Sequence, residues 1–145
     1  MSNFNYILEN LPYQHPFLFV DEVIRVTESE IEGNYTFKPD EFFYTGHFKG
    51  NPVTPGVILL ETMAQIALVS HVIHLSKNAL DQPVKLMAFT SAQVNFLKPV
   101  FPEQKVIVRG KLVYFRMGKI KSEVTLVDST GEIACSGTLS GMIRI

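Results

Sequence analysis

His47 and Glu61, fourteen positions apart, are the residues of this chain best suited to moving protons. They lie within one stretch, GHFKGNPVTPGVILLETMAQ, which runs from Gly46 to Gln65. An imidazole with an ordinary pKa near ~6.5 can take or give a proton at neutral pH. A carboxyl on an apolar helix is disfavoured in its charged form, so its pKa rises and it can serve as an acid. Between the two lie prolines and glycines that fix a tight backbone path. In outline this is an acid/base pair.

The elements around the pair follow from the sequence pattern. From about Gly56 to Lys77 the pattern is helical, with Pro55 and Gly56 suited to a helix start. Apolar residues occupy nearly every face of that helix, so it must be surrounded by protein. Asn5 to Asn10 predicts a short helical turn. Phe17 to Val26 and Glu30 to Phe37 predict two strands, with Gly33 able to host a bulge. Lys38 to Thr54 is a loop dense in aromatics (Phe42, Phe43, Tyr44, Phe48), which folds onto the core or lines a pocket. After a turn at Asn78 to Pro83, strands are expected at Val84 to Phe96, Gln104 to Arg116, Lys119 to Asp128 and Glu132 to Ile145. Met117-Gly118 and Asp128 to Gly131 read as hairpin turns. Period two puts Val106, Val108, Gly110, Leu112 and Tyr114 on one face of their strand. The economical way to bury the helix is a single antiparallel sheet wrapped round it: an α+β domain over residues 1–145.

Bulk composition narrows the function classes. A net charge of -1 argues against nucleic acid or an anionic membrane as a general partner. Apolar content of 46% with 19% charged residues is that of an ordinary soluble domain. A single cysteine, Cys135, precludes an internal disulfide and suits a reducing cytoplasm. The N-terminal residues lack the basic start and clean apolar run of a signal peptide, so export is not expected. Val57 to Leu75 has the length of a membrane span, but Glu61, Gln65, His71 and His74 interrupt it, and no membrane insertion is expected.

The central stretch resembles the signature of the hotdog-fold 3-hydroxyacyl-[acyl carrier protein] dehydratases of the FabZ type, approximately GHFPGxPVMPGVLxxEAxAQ. LPYQHPFLFVDEV near the N-terminus is similar to that family's LPHRYPFLLVDRV, and NFLKPVFPEQ extends the likeness over essentially the whole chain. The resemblance implies a hotdog fold in which the antiparallel sheet wraps one long central helix. It implies dehydration of a (3R)-3-hydroxyacyl thioester to the trans-2-enoyl thioester, in fatty-acid or related polyketide or polyene biosynthesis. His47 would remove the C2 proton and Glu61 would protonate the departing hydroxyl. Gly56, with Val57, would bind the thioester oxygen at the helix N-terminus, and Gln65, one turn beyond Glu61, would orient the carboxylate. No cofactor or metal is implied. The implied partners are an acyl carrier protein and a second copy of the chain, with His47 and Glu61 of each site drawn from different subunits, often assembled further into a trimer of dimers. A hotdog thioesterase and a non-catalytic acyl-carrier binding module are the alternatives. The first generally lacks the GHF…PGV…E arrangement, and the second would tolerate loss of His47 or Glu61.

The other chemistry-bearing residues have plainer readings. His71 and His74 lie about 80° and 140° round the helix from Glu61, which makes a shared metal site poor. They read as helix-end or interface residues, His15 as a loop residue, and Cys135 as a small apolar packer. Lys98, Lys105, Arg109, Lys111, Arg116, Lys119 and Lys121 form a docking face for an acidic carrier or are ordinary solvated strand positions; the sequence favours neither. Lys49 and Thr54 stand where the family pattern has proline and methionine, and Asn95 and Leu97 where it commonly has arginine. These departures leave every catalytic group in place but alter the loop, the tunnel mouth and the basic surface. They point to a specialised paralogue.

Overall fold

A computed structural model describes residues 3–77, 84 and 86–144. The element order is α1 (Asn5–Glu9), β1 (Glu22–Val26), β2 (Glu30–Thr36), α2 (Gly56–Leu75), β3 (Leu86–Phe96), β4 (Lys105–Arg116), β5 (Lys119–Val127) and β6 (Ile133–Arg144). The strands form one antiparallel sheet in the order β1-β2-β4-β5-β6-β3. Helix α2 packs across this sheet, and the chain then crosses to the far edge to add β3. This is the helix-in-sheet arrangement of the hotdog fold.

Burial explains why α2 sits there. Met63, Ile66, Ala67, Leu68, Val69 and Val72 are at most 0% exposed, and Val106, Val108, Ile120, Leu126 and Leu139 meet them from the sheet with the same exposure. Each such side chain contributes about 1.5–3 kcal/mol when fully buried. Although α2 is long and apolar enough to cross a membrane, 78% of its most apolar window is buried inside the fold, as expected of a core helix. Helix and sheet approach closely at Gly110, where a Cβ would come within 2.7 Å of the Ala67 Cβ.

Several boundaries differ from the sequence reading. The first strand begins at Glu22, not Phe17, because the main chain of Phe17 and Phe19 bonds to the Gln65 side chain on α2 and is not part of the ladder. The bulge belongs to β1, between Val23 and Arg25, and Gly33 pairs regularly. Gly33 is required for another reason: a Cβ there would stand 2.9 Å from the Glu22 carbonyl oxygen and 3.0 Å from Ile66. Helix α2 ends at Leu75 and contains a π-helical segment, Gln65–Ser70, in which the Ser70 hydroxyl donates to the Gln65 carbonyl at 2.7 Å.

In β4 a register shift between Leu112 and Tyr114 pairs Tyr114 with Lys121 and Phe115 with buried Ile120. Tyr114 therefore leaves the face shared by Val106, Val108, Gly110 and Leu112, and Phe115 packs against the core in its place. Strand β3 starts at Leu86; the turn expected at 78–83 lies outside the described residues. The Met117-Gly118 hairpin has φ of 51° and 74°, the left-handed pair that a two-residue turn demands.

Among the described residues both sheet edges are unpaired, and they differ. The β1 edge is five residues long, bulged and charged, features that discourage further pairing. The β3 edge is eleven residues long, and Phe89 and Phe96 on it are 40% and 53% exposed.

Candidate active site

The loop between β2 and α2 carries His47. Its upstream half is pinned by aromatic packing: Phe43 makes edge contacts with Phe19 and Phe37, and Tyr44 with Phe43. The downstream half turns tightly, with Phe48 and Asn51 exchanging main-chain hydrogen bonds at 3.0 Å and the Val53 amide donating to the His47 carbonyl at 2.7 Å. The His47 ring stacks on Phe48, and its Nδ1 lies 2.8 Å from the Val53 carbonyl oxygen. A carbonyl can only accept, so the neutral ring carries its proton on Nδ1 and keeps a lone pair on Nε2. That tautomer is a base with a free nitrogen.

His47 opens onto a cavity of about 380 Å³ that it lines with Val53, Thr54, Gly56, Leu59, Phe96, Leu97, Lys98 and Pro99. Gly56 begins α2, so its N–H and that of Val57 precede the first intrahelical acceptor and lie at the positive end of the helix dipole. Phe96 packs against this point: a Cβ at Gly56 would meet its ring at 3.2 Å. Val57 is 71% exposed, a large apolar side chain left uncovered beside the cavity.

Glu61 is half-buried, and its carboxyl pKa is raised by burial; the hydrogen bond from Gln65 partly opposes the rise. Gln65 is wholly buried. Its Nε2 donates to Glu61 Oε2 at 3.0 Å and to the Phe17 carbonyl at 3.1 Å, while its Oε1 accepts from the Phe19 amide at 2.8 Å. The Tyr13 phenol is close enough to feel the carboxylate: burial, and after it the Glu61 charge, raises the pKa of that phenol.

The structure thus brings His47, Gly56 and Val57 to one end of α2, and Glu61 with Gln65 to an adjoining stripe of the same helix. Glu61 does not line the His47 cavity. At ~100° per residue it lies about 140° round the helix from Gly56. Within one chain His47 and the Glu61–Gln65 pair therefore stand apart.

Several other titratable residues singled out in the sequence have defined surroundings. His71 is fully buried and its Nε2 donates to the Thr27 carbonyl at 2.9 Å, so it is an interior residue and not a helix-end one. The His74 ring bonds the Tyr6 hydroxyl and faces Glu28 at 3.6 Å. Cys135 is buried and its thiol pKa is pushed up to about 11 by burial. Of the seven cations in the proposed docking set, Lys98 pairs with Asp128 at 2.7 Å and Glu132 at 3.2 Å, and Arg109 with Glu32 at 3.0 Å. Arg116 stacks over Tyr114. Tyr13, Tyr44 and Phe96 join the site without having been singled out for it in the sequence. Tyr13 and Tyr44 lay in loops whose path the sequence pattern does not give.

The six-stranded antiparallel sheet packed on one central helix defines a hotdog protein, and its likeness to known proteins gives the family. The FabA-like domain model matches residues 11–137, and the chain belongs to that family. It is 37% identical over 141 residues to the 3-hydroxyacyl-[acyl-carrier-protein] dehydratase FabZ of Streptococcus sanguinis, covering 97% of this chain and 96% of that one. It is 35% identical over 147 residues to the FabZ dehydratase of Caldicellulosiruptor bescii, covering 99% and 100%. Among solved structures, the dehydratase heterocomplex ApeI:P of Xenorhabdus doucetiae superposes with a TM-score of 0.81 at 16% identity, over 96% of this chain and 91% of that one. A hypothetical thioesterase of Streptococcus pneumoniae with coenzyme A superposes with a TM-score of 0.61 at 12% identity, over 98% and 94%. At such identities these two structures speak for the fold alone.

Proposed function

We propose that this protein dehydrates (3R)-3-hydroxyacyl-[acyl carrier protein] to the trans-2-enoyl thioester. The observation that carries the reading is the pair of groups themselves: a histidine with a free Nε2 and a half-buried carboxyl of raised pKa, in a chain related along its length to FabZ dehydratases.

In this reading His47 Nε2 takes the C2 proton. The electron pair left on C2 delocalises onto the thioester oxygen, where the Gly56 N–H receives the charge. As the C2–C3 double bond forms, the C3–O bond breaks and Glu61 protonates the leaving hydroxyl, which departs as water. Burial shifts Glu61 toward the protonated form that this step needs. Passing one proton from His47 back to Glu61 then resets the site. Val57 borders the substrate, and Gln65 holds the Glu61 carboxyl in place.

We infer a homodimer in which His47 of one subunit faces the Glu61 of another, with a trimer of dimers as the further assembly that the family resemblance implies. The long open β3 edge, with Phe89 and Phe96 exposed, is the surface that supports pairing. The acyl carrier protein meets the members of the docking set that remain free of carboxylates among the described residues: Lys105, Lys111, Arg116, Lys119 and Lys121. The setting is the cytoplasm, where a thiol such as Cys135 stays reduced.

The deciding experiment incubates the protein with a 3-hydroxyacyl carrier substrate and follows enoyl product and free thiol separately. Enoyl product is expected. Free thiol without it would replace dehydration by thioester hydrolysis.

A further inference from the structure

The loop that presents His47 is closed by a bond between two hydroxyls. Tyr44 Oη lies 2.6 Å from Thr54 Oγ1, and the two residues are 5% and 3% exposed. Among the described residues each hydroxyl has the other as its hydrogen-bond partner. Tyr44 precedes His47 by one turn of chain, and Thr54 immediately follows Val53, whose carbonyl holds the His47 Nδ1. Thr54 is fixed on its main-chain side as well, its amide donating to the Val100 carbonyl at 2.9 Å. Tyr44 is fixed by packing on Phe43 and by its amide bond to the Glu41 carbonyl at 3.1 Å.

We propose that Tyr44 and Thr54 are positioning residues for His47, their hydroxyl pair bracing the two ends of its loop so that the Val53 carbonyl stays against Nδ1. The proposal rests on His47 being the base of the dehydration. The coupling is short: a shift of Thr54 moves the adjoining Val53 carbonyl, and with it the group that selects the ring tautomer. Loss of that group leaves the imidazole free to place its proton on either nitrogen, and a ring protonated on Nε2 cannot take the C2 proton. Small displacements of a catalytic group reduce rate more than affinity. Burial pushes the Tyr44 pKa up to about 12, so the phenol keeps its proton across the working pH range. Thr54 is also one of the positions at which this chain departs from the FabZ-type pattern. A methionine there could not make the bond, so the brace belongs to this sequence.

The test compares Y44F, T54V and T54S with the parent protein. Y44F and T54V remove one hydroxyl each with little change of shape, and T54S keeps the hydroxyl. The His47 tautomer is read by nitrogen NMR on the substrate-free protein, and kcat and KM are measured on a 3-hydroxyacyl carrier substrate. Y44F and T54V are expected to mix the tautomers and to lower kcat about tenfold with KM within about twofold. The double variant should be no worse than either single one, because both remove the same bond. T54S should behave as the parent. A parental tautomer and parental kcat in Y44F and T54V would overturn the proposal, as would losses that add in the double variant. Mixed tautomers in the variants, with no dehydration by the parent, would support the brace while removing the dehydratase reading.

Discussion

One amide side chain, that of Gln65, binds both the Glu61 carboxyl and the main chain of Phe17 and Phe19. Its Nε2 lowers the Glu61 pKa against the larger effect of burial. Replacing Gln65 by leucine removes that opposition, so Glu61 should titrate at higher pH. In the proposed mechanism Glu61 is the acid, so the alkaline limb of the kcat–pH profile should move upward. The buried Phe19 amide also loses its acceptor, at about 1–3 kcal/mol of stability, readable by urea denaturation. A group whose folded pKa is raised stabilises the fold below its unfolded pKa and ceases to do so as pH rises through the folded value, and in Q65L the latter should occur at higher pH.

Glu61→Gln should fold as the parent does and lose most dehydration, because an amide has no acidic proton to give. Mixing it with a His47→Asn variant tests whether sites are shared. If the two groups come from different subunits, each mixed dimer regains one intact site. Random mixing should then restore about one quarter of parental activity, read by the enoyl assay after subunit exchange. Separate intact chains would restore none.

The approach of α2 to β4 should tolerate no added methyl at Gly110. A Cβ there stands 2.7 Å from the Ala67 Cβ and 3.1 Å from Ile31. Gly110→Ala is expected to destabilise by about 1–3 kcal/mol through overpacking. Adding Ala67→Gly should recover part of the loss, measured by urea denaturation.

His71 gives the fold a dependence on pH. Its pKa is lowered, chiefly by burial, with His74 lowering it further and the Thr27 bond and Glu28 acting to raise it. The unfolded chain therefore binds more protons than the folded one between that lowered value and about 6.5. The stabilising contribution is present above the unfolded pKa and is lost as pH falls through the folded one. Urea midpoints at pH 5 and pH 7 should differ in the parent, and by less in His71→Phe.

Lys98 should matter most to the residue that it neutralises. Asp128 is 3% exposed, and its pKa is lowered to about 2, although burial alone would raise it; Lys98, then Thr130 and the Glu132 amide, bring it down. Its contribution to stability is present above the ordinary carboxylate range and is lost as pH falls toward about 2. K98M leaves a buried carboxylate without its cation and should lower the melting temperature more than D128N does. The K98M/D128N pair should melt above K98M alone.

The departures from the sequence reading share one cause. Phe17 to Val20 has strand composition, yet its main chain bonds to a glutamine on a helix far along the chain. Tyr114 obeys period two until a register shift moves it, and only the pairing with β5 creates that shift. His71 reads as a helix-end or interface residue and Lys98 as a docking or solvated one because their partners, Thr27 and Asp128, are distant in sequence. Local pattern reports what a residue prefers; its contacts depend on where the rest of the chain goes.

By itself the sequence determined that an apolar helix must be wrapped by a sheet, and that His47, Gly56, Glu61 and Gln65 fall within one stretch running from a loop into that helix. Apolar periodicity and the GHF…PGV…E spacing are local, and they survive any detail of packing. The tertiary structure decided how those residues divide. It put His47 and Gly56 on one cavity and turned Glu61 out of it, clamped to Gln65 on another stripe of the same helix. It also placed Tyr44 against Thr54. Side-chain direction round a helix and the closing of a loop are fixed by contacts between distant segments, and those exist only once the chain has folded.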